Sequence, residues 1–331
     1  MGSGDDGATT QLMKIAKVDL RGLQSNTMAW AEARAAVTAS MAAHGYVVVV
    51  HDALDAELRR ALFGRALPEL YALPFDTKKS SGAFSNGPHR GYDGQVPSEV
   101  LESVAILNPV EPGNVRDFTG RLWPQGNPGF CDTIVSFAKN VLELAQTVER
   151  MTLEGLGVHE ESIAWQLFSQ SHTARMMLYG TPPDKETSNI SLGAHPDDQM
   201  TTVIAQHEVG GLEVQVDGGR WLAVPPEPGT LIVIGGDQLT LVTNGRVPAC
   251  IHRVRAPSGR ERFSVLLSRR RKGDPIMRAM DELVDEDHPL MYNPCSHEEY
   301  RAFRLSEEGR KLREHNPLKA FCGVEKDGSK E

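Results

Sequence analysis

No stretch of about 18 consecutive apolar residues occurs in the 331-residue sequence, so it offers no candidate transmembrane helix. The start, MGSGDDGATTQ, is acidic and glycine-rich where a secretory signal is basic and then apolar, so a cytoplasmic protein without a membrane partner is expected. Cysteine is sparse. Cys131, Cys250, Cys295 and Cys322 are scattered without a C-x-x-C pair, which argues against a zinc ribbon or a disulfide framework and leaves free thiols as the expectation. Basic residues are outnumbered, 35 Lys and Arg against 44 Asp and Glu. The net charge of -9 gives no electrostatic footprint for nucleic acid, so the expected partner is a small molecule. Internal repeats and low-complexity blocks are also missing. What remains, 40% hydrophobic and 24% charged, is the composition of an ordinary globular protein with a sizeable core.

Residues 1–12 read as a disordered lead-in. A region over 13–160 follows, with a short strand at Lys14–Leu20 and an alanine-rich helix capped by Asn26 and stopped by Gly45. Tyr46–Val50 reads as a buried strand, Leu54–Leu70 as a helix and Asp76–Pro97 as loop. From Phe130 to Leu156, Ile134, Phe137, Val141, Leu144, Val148 and Met151 recur at steps of three and four, an apolar stripe along one long helix that can back a whole sheet. Over 161–272 the texture changes to short strands broken by glycine turns, including Arg175–Tyr179, Leu212–Val216, Trp221–Val224 and Leu231–Ile234. Residues 273–331 return to helix, with Met277, Met280, Leu283 and Tyr300 as anchors, and end in a solvated tail. The pattern predicts an α+β fold with a mainly β core. That core is a jelly roll (double-stranded β-helix) with an N-terminal α/β region and flanking helices, one long helix backing the sheet.

The stretch from His195 to Ser264 carries the chemistry. It opens on His195-Pro196-Asp197, reaches His252 and then Arg262-Phe263-Ser264. Residues two apart on a strand face the same way, so His195 and Asp197 point inward together, and Pro196 suits a strand start or edge. His252 lies on another strand and joins them through closure of the barrel. Two histidines and one carboxylate on one face are the set that holds a non-haem Fe(II) with other positions open. A lone H-x-D is weak; combined with a distant histidine and R-x-S it is specific. Arg262 and Ser264 share a strand face, and a guanidinium with a hydroxyl beside it can grip a carboxylate. Phe263, Val265 and Leu267 make the other face apolar too, so this arginine is buried and needs an anion.

Taken singly, each residue has an ordinary reading. His195 fits a surface histidine beside a turn, Asp197 a turn residue, His252 a core histidine bonded to backbone, and Arg262 a surface arginine in the run Arg260-Glu261-Arg262. Asp198 faces away from the site on a regular strand. His172, His207 and His297 read as solvated.

At these positions the chain resembles the plant 2-oxoglutarate-dependent dioxygenases over nearly its whole length. Partial N-terminal matches are Val18-Asp19-Leu20, His44-Gly45-Tyr46, Leu73-Pro74 and Gly91-Tyr92. Further on come Gly211-Leu212-Glu213-Val214, Trp221 to Pro226, Gly236-Asp237-Gln238-Leu239, Asn244-Gly245-Arg246 and His252-Arg253-Val254. The resemblance implies Fe(II) on His195, Asp197 and His252, and 2-oxoglutarate with its distal carboxylate on Arg262, Ser264 and Tyr179. It also implies O2 as oxidant, ascorbate as reductant, and release of succinate and CO2.

The family's R-L-N-Y-Y-P-P-C-P is here Arg175-Met176-Met177-Leu178-Tyr179-Gly180-Thr181-Pro182-Pro183, with Met177 in place of a pocket-facing asparagine, and its H-T-D is H-P-D. These departures look most like the auxin-oxidising branch, which converts indole-3-acetic acid to 2-oxindole-3-acetic acid. A neighbouring branch modifies glucosinolate side chains, and a gibberellin-like acid is a third option. For the acid group of the substrate the candidates are Arg90, then Arg175, then Arg270; Met177 with Tyr92 or Phe84 would pack the ring. Two readings from other classes compete: a non-catalytic binding jelly roll, which predicts a damaged triad or R-x-S, and a zinc hydrolase, which needs a further carboxylate base.

Overall fold

The computed structural model describes residues 15–80, 91–93, 101–180, 190–255, 259–273, 276–312 and 316–325. The expected lead-in and tail, Phe84 and Arg90 lie outside the described residues. The N-terminal part runs from β1 (Lys17–Asp19) through α1 (Met28–His44) to β2 (Tyr46–Val50). Thr27, not Asn26, caps α1 by accepting from the Trp30 N–H, while Asn26 takes a left-handed φ of 64°. Gly45 ends the helix at φ 70°, and a Cβ there would sit 2.0 Å from the Pro248 carbonyl oxygen.

The single helix expected over Leu54–Leu70 is broken into α2 (Ala56–Ala61), one wide turn over Leu62–Ala66, and α3 (Leu67–Tyr71). Pro68 is the cause: it lacks an N–H and its ring crowds the carbonyl four residues back, which the widened turn relieves. Part of the expected loop is also helical, as α4 (Phe75–Ser80), and β3 (Gly91–Asp93) and β4 (Leu101–Leu107) follow. On α4 the Lys78 ammonium is 2.7 Å from Glu102 on β4.

After α5 (Pro112–Leu122), the long helix α6 (Pro128–Gly155) starts on Asn127, which accepts from the Phe130 N–H. All six residues of its predicted apolar stripe are fully buried. Over 28 residues the helix extends about 42 Å, enough to support a whole sheet. After α7 (Glu160–Phe168) come β5 (Gln170–Tyr179), β6 (Ile190–His195), β7 (Thr201–Gln206), β8 (Leu212–Val216), β9 (Arg220–Ala223) and β10 (Thr230–Gly235). The short α8 (Asp237–Val242) precedes β11 (His252–Arg255) and β12 (Arg262–Arg271).

Among the described residues these strands make two sheets. The larger has the order β1-β2-β10-β7-β12-β5-β4-β3 and the smaller β6-β11-β8-β9, the two faces of a jelly roll. Tyr46, Met177, Tyr179, Ile204 and Ile232 of the large sheet join Leu212, Val214 and Val254 of the small one in the inter-sheet core. The opposite face of the large sheet packs on α1 and α6 through Ala174, Met176, Val203, Val265 and Leu267. The molecule is therefore layered helix, sheet, sheet, and alternate residues of β5, β7 and β12 face the space between the sheets.

The helical reading of 273–331 holds only from α9 (His297–Leu305) onward, followed by α10 (Glu307–Lys311) and α11 (Pro317–Cys322). Before it the described residues form two short bridging strands, Ile276–Met277 and Cys295–Ser296, with a 3-10 turn at Asp281–Leu283 between them, and Pro289 and Pro294 disfavour helix over the last part of this stretch. Met277, Leu283 and Tyr300 are buried as expected, and all four cysteines are free and buried. No helix among the described residues is long and apolar enough to cross a membrane.

One buried ion pair ties helix to sheet: Arg269 of β12 lies 2.7 Å from Glu149 of α6, both essentially inaccessible. Gln170 Nε2 donates to Glu149 at 2.9 Å, and the Thr201 hydroxyl donates to its other oxygen. Removing one side strands a buried charge. Glu149→Gln should therefore lower the free energy of unfolding by about 3–5 kcal/mol in urea titration, and a loss within error would refute this role. The cross-strand neighbour of Arg269, His172, has its pKa lowered to about 4, by burial first and then by the charges of Arg269 and Lys272. The unfolded chain, with an ordinary histidine near 6.5, then takes up this proton first as pH falls, so stability is lost between about 6.5 and 4. His172→Gln should flatten that acid limb of the urea midpoint; an unchanged pH dependence would contradict the assignment.

Candidate active site between the two sheets

His195 ends β6, and in antiparallel register it stands directly opposite His252 at the start of β11. The expectation that His252 arrives through barrel closure is corrected: the two histidines are neighbours across one small sheet, with ring centroids 4.4 Å apart. Each ring turns Nδ1 to a carbonyl on its own chain segment, His195 to Gly193 at 2.7 Å and His252 to Cys250 at 3.1 Å. With Nδ1 as the donor, each Nε2 presents its lone pair on the side of Asp197.

Asp197 lies just past the end of β6 rather than within it. Its side chain is placed by a hydrogen bond from the Thr202 hydroxyl of β7 to Oδ2, at 2.6 Å. Oδ1 is left facing His195 Nε2 at 3.8 Å and His252 Nε2 at 3.9 Å. One ligand atom from each of the three residues lies within 4.8 Å of the others, the only such group of this size among the described residues. Two imidazole nitrogens and one carboxylate oxygen, with the rest of the sphere open, suit a divalent iron.

Arg262 and Ser264 sit on the inner face of β12, both 1% exposed, with Arg262 Nη1 3.3 Å from the Ser264 hydroxyl. Tyr179 is the register partner of Arg262 on β5, and the guanidinium carbon lies 4.7 Å from its ring centre. Gln206 on β7 accepts from Arg262 Nη2 at 2.9 Å. Among the described residues no carboxylate lies within ion-pair distance of Arg262, its buried Nε has no hydrogen-bond partner, and burial pushes its pKa below the usual arginine value. A buried cation with this donor set fits an incoming carboxylate such as the distal end of 2-oxoglutarate.

Further along the same face Arg175 stands opposite Leu266 and donates to the Ser103 hydroxyl of β4 at 2.7 Å. Met177 lies between Arg175 and Tyr179, opposite Ser264, and its sulfur accepts from the Tyr179 hydroxyl at 3.3 Å. Arg270 follows four residues after Leu266 on that face, opposite Ser171. Tyr92 pairs with Val104 in β3.

The three histidines read as solvated, His172, His207 and His297, are less exposed than expected. His207 is half-buried and stacks on Phe63 with ring centroids 4.9 Å apart, and His172 is half-buried on the helix side. His297 is 4% exposed, its Nε2 lying 3.7 Å from Asp198, because α9 tucks its first turn beneath the ligand-bearing segment. Asp198 is turned from the triad as expected. Burial alone would raise its pKa, but the nearby His297 ring and the charges of Arg304 and Arg301 outweigh this and hold it below the usual carboxylate range. Asp237 is pushed up to about 6, chiefly by burial, against the opposing charge of Arg304.

The sequence reading missed Thr202, Gln206 and Ser103. The first two are polar residues in the run Thr201–Gln206, where the inner face reads Thr202, Ile204, Gln206; that period of two was the available signal.

Residues 166–271 match the 2OG-Fe(II) oxygenase superfamily. The "Probable 2-oxoglutarate-dependent dioxygenase AOP1.2" of Arabidopsis thaliana is 32% identical over 293 residues, spanning 87% of this chain and 89% of that protein. Among solved structures, the dioxygenase for auxin oxidation of rice superposes with a TM-score of 0.79 at 26% identity, covering 94% of this chain and all of that one. Dioxygenase for auxin oxidation 1 from Arabidopsis thaliana, in a binary complex with 2-oxoglutarate, superposes with a TM-score of 0.71 at 22% identity, over 83% of this chain and all of that one. The paired histidines, the aspartate beside them and the buried arginine thus stand in a chain that belongs to the 2OG-Fe(II) oxygenase superfamily, a 2-oxoglutarate-dependent dioxygenase.

Proposed function

We propose that this dioxygenase oxidises indole-3-acetic acid to 2-oxindole-3-acetic acid, with 2-oxoglutarate decarboxylated to succinate. The observation that carries the reading is a second inward arginine: Arg175, steadied by Ser103, faces the same inter-sheet space as Arg262 but lies four residues back along β5 from Tyr179. One site with two separated cations suits two acids at once, a co-substrate and an acidic substrate. The likeness to the rice auxin dioxygenase supports indole-3-acetic acid as the second.

Iron bound with 2-oxoglutarate supplies the activation of O2. The chain supplies the geometry. His195 and His252 present Nε2, and Thr202 restrains one oxygen of Asp197 so that the other is presented to the metal. Arg262, Ser264 and Tyr179 would hold the distal carboxylate of 2-oxoglutarate, with the guanidinium braced by its hydrogen bond to Gln206, and Arg90 or Arg175 would hold the acid of the substrate. The apolar inter-sheet core, with Met177 and Ile204, limits the entry of water. The competing classes find less support. A binding module predicts a damaged triad, and all three residues converge. A zinc hydrolase needs a free carboxylate nearby, yet Asp198 is engaged by Arg301 and Asp237 by Arg304.

The decisive experiment incubates the protein with Fe(II), 2-oxoglutarate and ascorbate under air, with indole-3-acetic, gibberellin-like and glucosinolate-type thio-substituted acids, and reads succinate together with product mass. Indole-3-acetic acid should give succinate and a product heavier by one oxygen atom; succinate coupled only to another acid would overturn the substrate assignment. Arg262→Ala should raise the KM for 2-oxoglutarate about 30-fold or more, the roughly 2 kcal/mol or more lost when a buried charge loses its partner. Arg90→Ala and Arg175→Ala should separate from it. Whichever holds the substrate acid raises the KM for indole-3-acetic acid and leaves that for 2-oxoglutarate unchanged, and an effect of both on 2-oxoglutarate alone would exclude the two-cation arrangement.

A further inference from the structure

Helix α9 is distant in sequence from the triad, yet it closes on the turn that carries it. Arg304 Nη2 donates to the Pro196 carbonyl oxygen at 2.8 Å, the carbonyl between His195 and Asp197. Its other nitrogen, Nη1, meets Asp237 Oδ2 at 2.5 Å, and the Tyr300 hydroxyl donates to the same oxygen at 2.6 Å. The backbone N–H of Asp237 donates to the Asp197 carbonyl at 2.8 Å. These contacts form a ring from Pro196 through Arg304 and Asp237 back to Asp197. Gly236 permits it, since a Cβ at that position would lie 2.3 Å from the Gln199 carbonyl oxygen and 2.8 Å from that of Asp197. One turn earlier on α9, Arg301 Nε lies 3.1 Å from Asp198 Oδ2, with His297 Nε2 3.7 Å from the same oxygen.

Helix α9 also has an apolar anchor apart from this ring, since Tyr300 and Phe303 pack in tilted contact with Phe321 of α11. What the ring touches is the peptide between two candidate ligands. The turn also places two carboxylates side by side, Asp197 and Asp198, and a dication attracts both. Only Asp197 is aimed at the histidines; Asp198 is drawn to the helix by Arg301 and His297.

We propose that Arg304 and Arg301 are positioning residues for the metal: Arg304 fixes the His195–Asp197 turn through the Pro196 carbonyl, and Arg301 keeps Asp198 out of the coordination sphere. The inference rests on the reading that His195, Asp197 and His252 hold the metal. Its test is binding without turnover: Mn(II) titrated into the metal-free protein, with free Mn(II) read by electron paramagnetic resonance. Arg304→Met should weaken Mn(II) binding about 10–100-fold, the usual effect of removing a group that orients metal ligands. Arg304→Lys keeps the charge but cannot reach both acceptors in one plane, and its affinity should fall between. A merely structural arginine would lower the melting temperature and leave Mn(II) affinity at the wild-type value, which would overturn the proposal. Should Arg304→Met fail to fold, Arg301→Gln decides: it leaves the ring intact and frees Asp198, so the signal of bound Mn(II) should change, and an unchanged signal and affinity would overturn it. No Mn(II) binding by the wild-type protein would overturn the metal-site reading beneath it, an outcome distinct from equal binding by wild type and variants.

Discussion

The antiparallel register between β6 and β11 is the constraint on which the site depends. His195 stands opposite His252, and a slip of one residue would turn one ring out of the inter-sheet space. The outer side of the small sheet fixes how β11 lies on its other neighbour, β8. Glu213 on β8 binds Arg253 and Arg255 of β11, each at 2.6 Å, while Arg253 also lies 4.0 Å over the ring of Trp221 on β9. Charges on one face of β11 thus keep a metal ligand on the other.

The two sheets divide the chemistry. The small sheet supplies both histidines, and the large sheet supplies the carboxylate grip of Arg262, Ser264, Tyr179 and Gln206 together with Thr202, which orients Asp197. Strand β12 is the hinge of this division, for it carries Arg262 toward the site and Arg269 toward α6. Both arginines are fully buried, but their situations differ. Arg269 has an internal carboxylate and serves cohesion. Arg262 has none among the described residues and is left complementary to an acid from outside.

Much of this was legible because it follows short-range rules. The stripe of α6, the glycine stop of α1 and the inward pairing of Arg262 with Ser264 all rest on the fixed geometry of helix and strand, and each residue is where its period puts it. The errors have local causes as well. Pro68 broke an expected helix, and Pro289 and Pro294 interrupt part of another. His297 looked solvated among glutamates because the surface it covers belongs to a segment a hundred residues earlier.

The sequence by itself determined which side chains could do this chemistry. H-x-D, a later histidine and R-x-S name a metal set and an anion grip without any coordinates, since ligand type and strand alternation are properties of the residues themselves. Tertiary structure alone decided how they meet. It placed the histidines across one sheet rather than across the barrel, and set Thr202, Gln206, Ser103 and Arg304 beside their partners. The physical reason is that hydrogen bonds and ion pairs between distant segments depend on the register and closure of the sheets, which no single segment encodes.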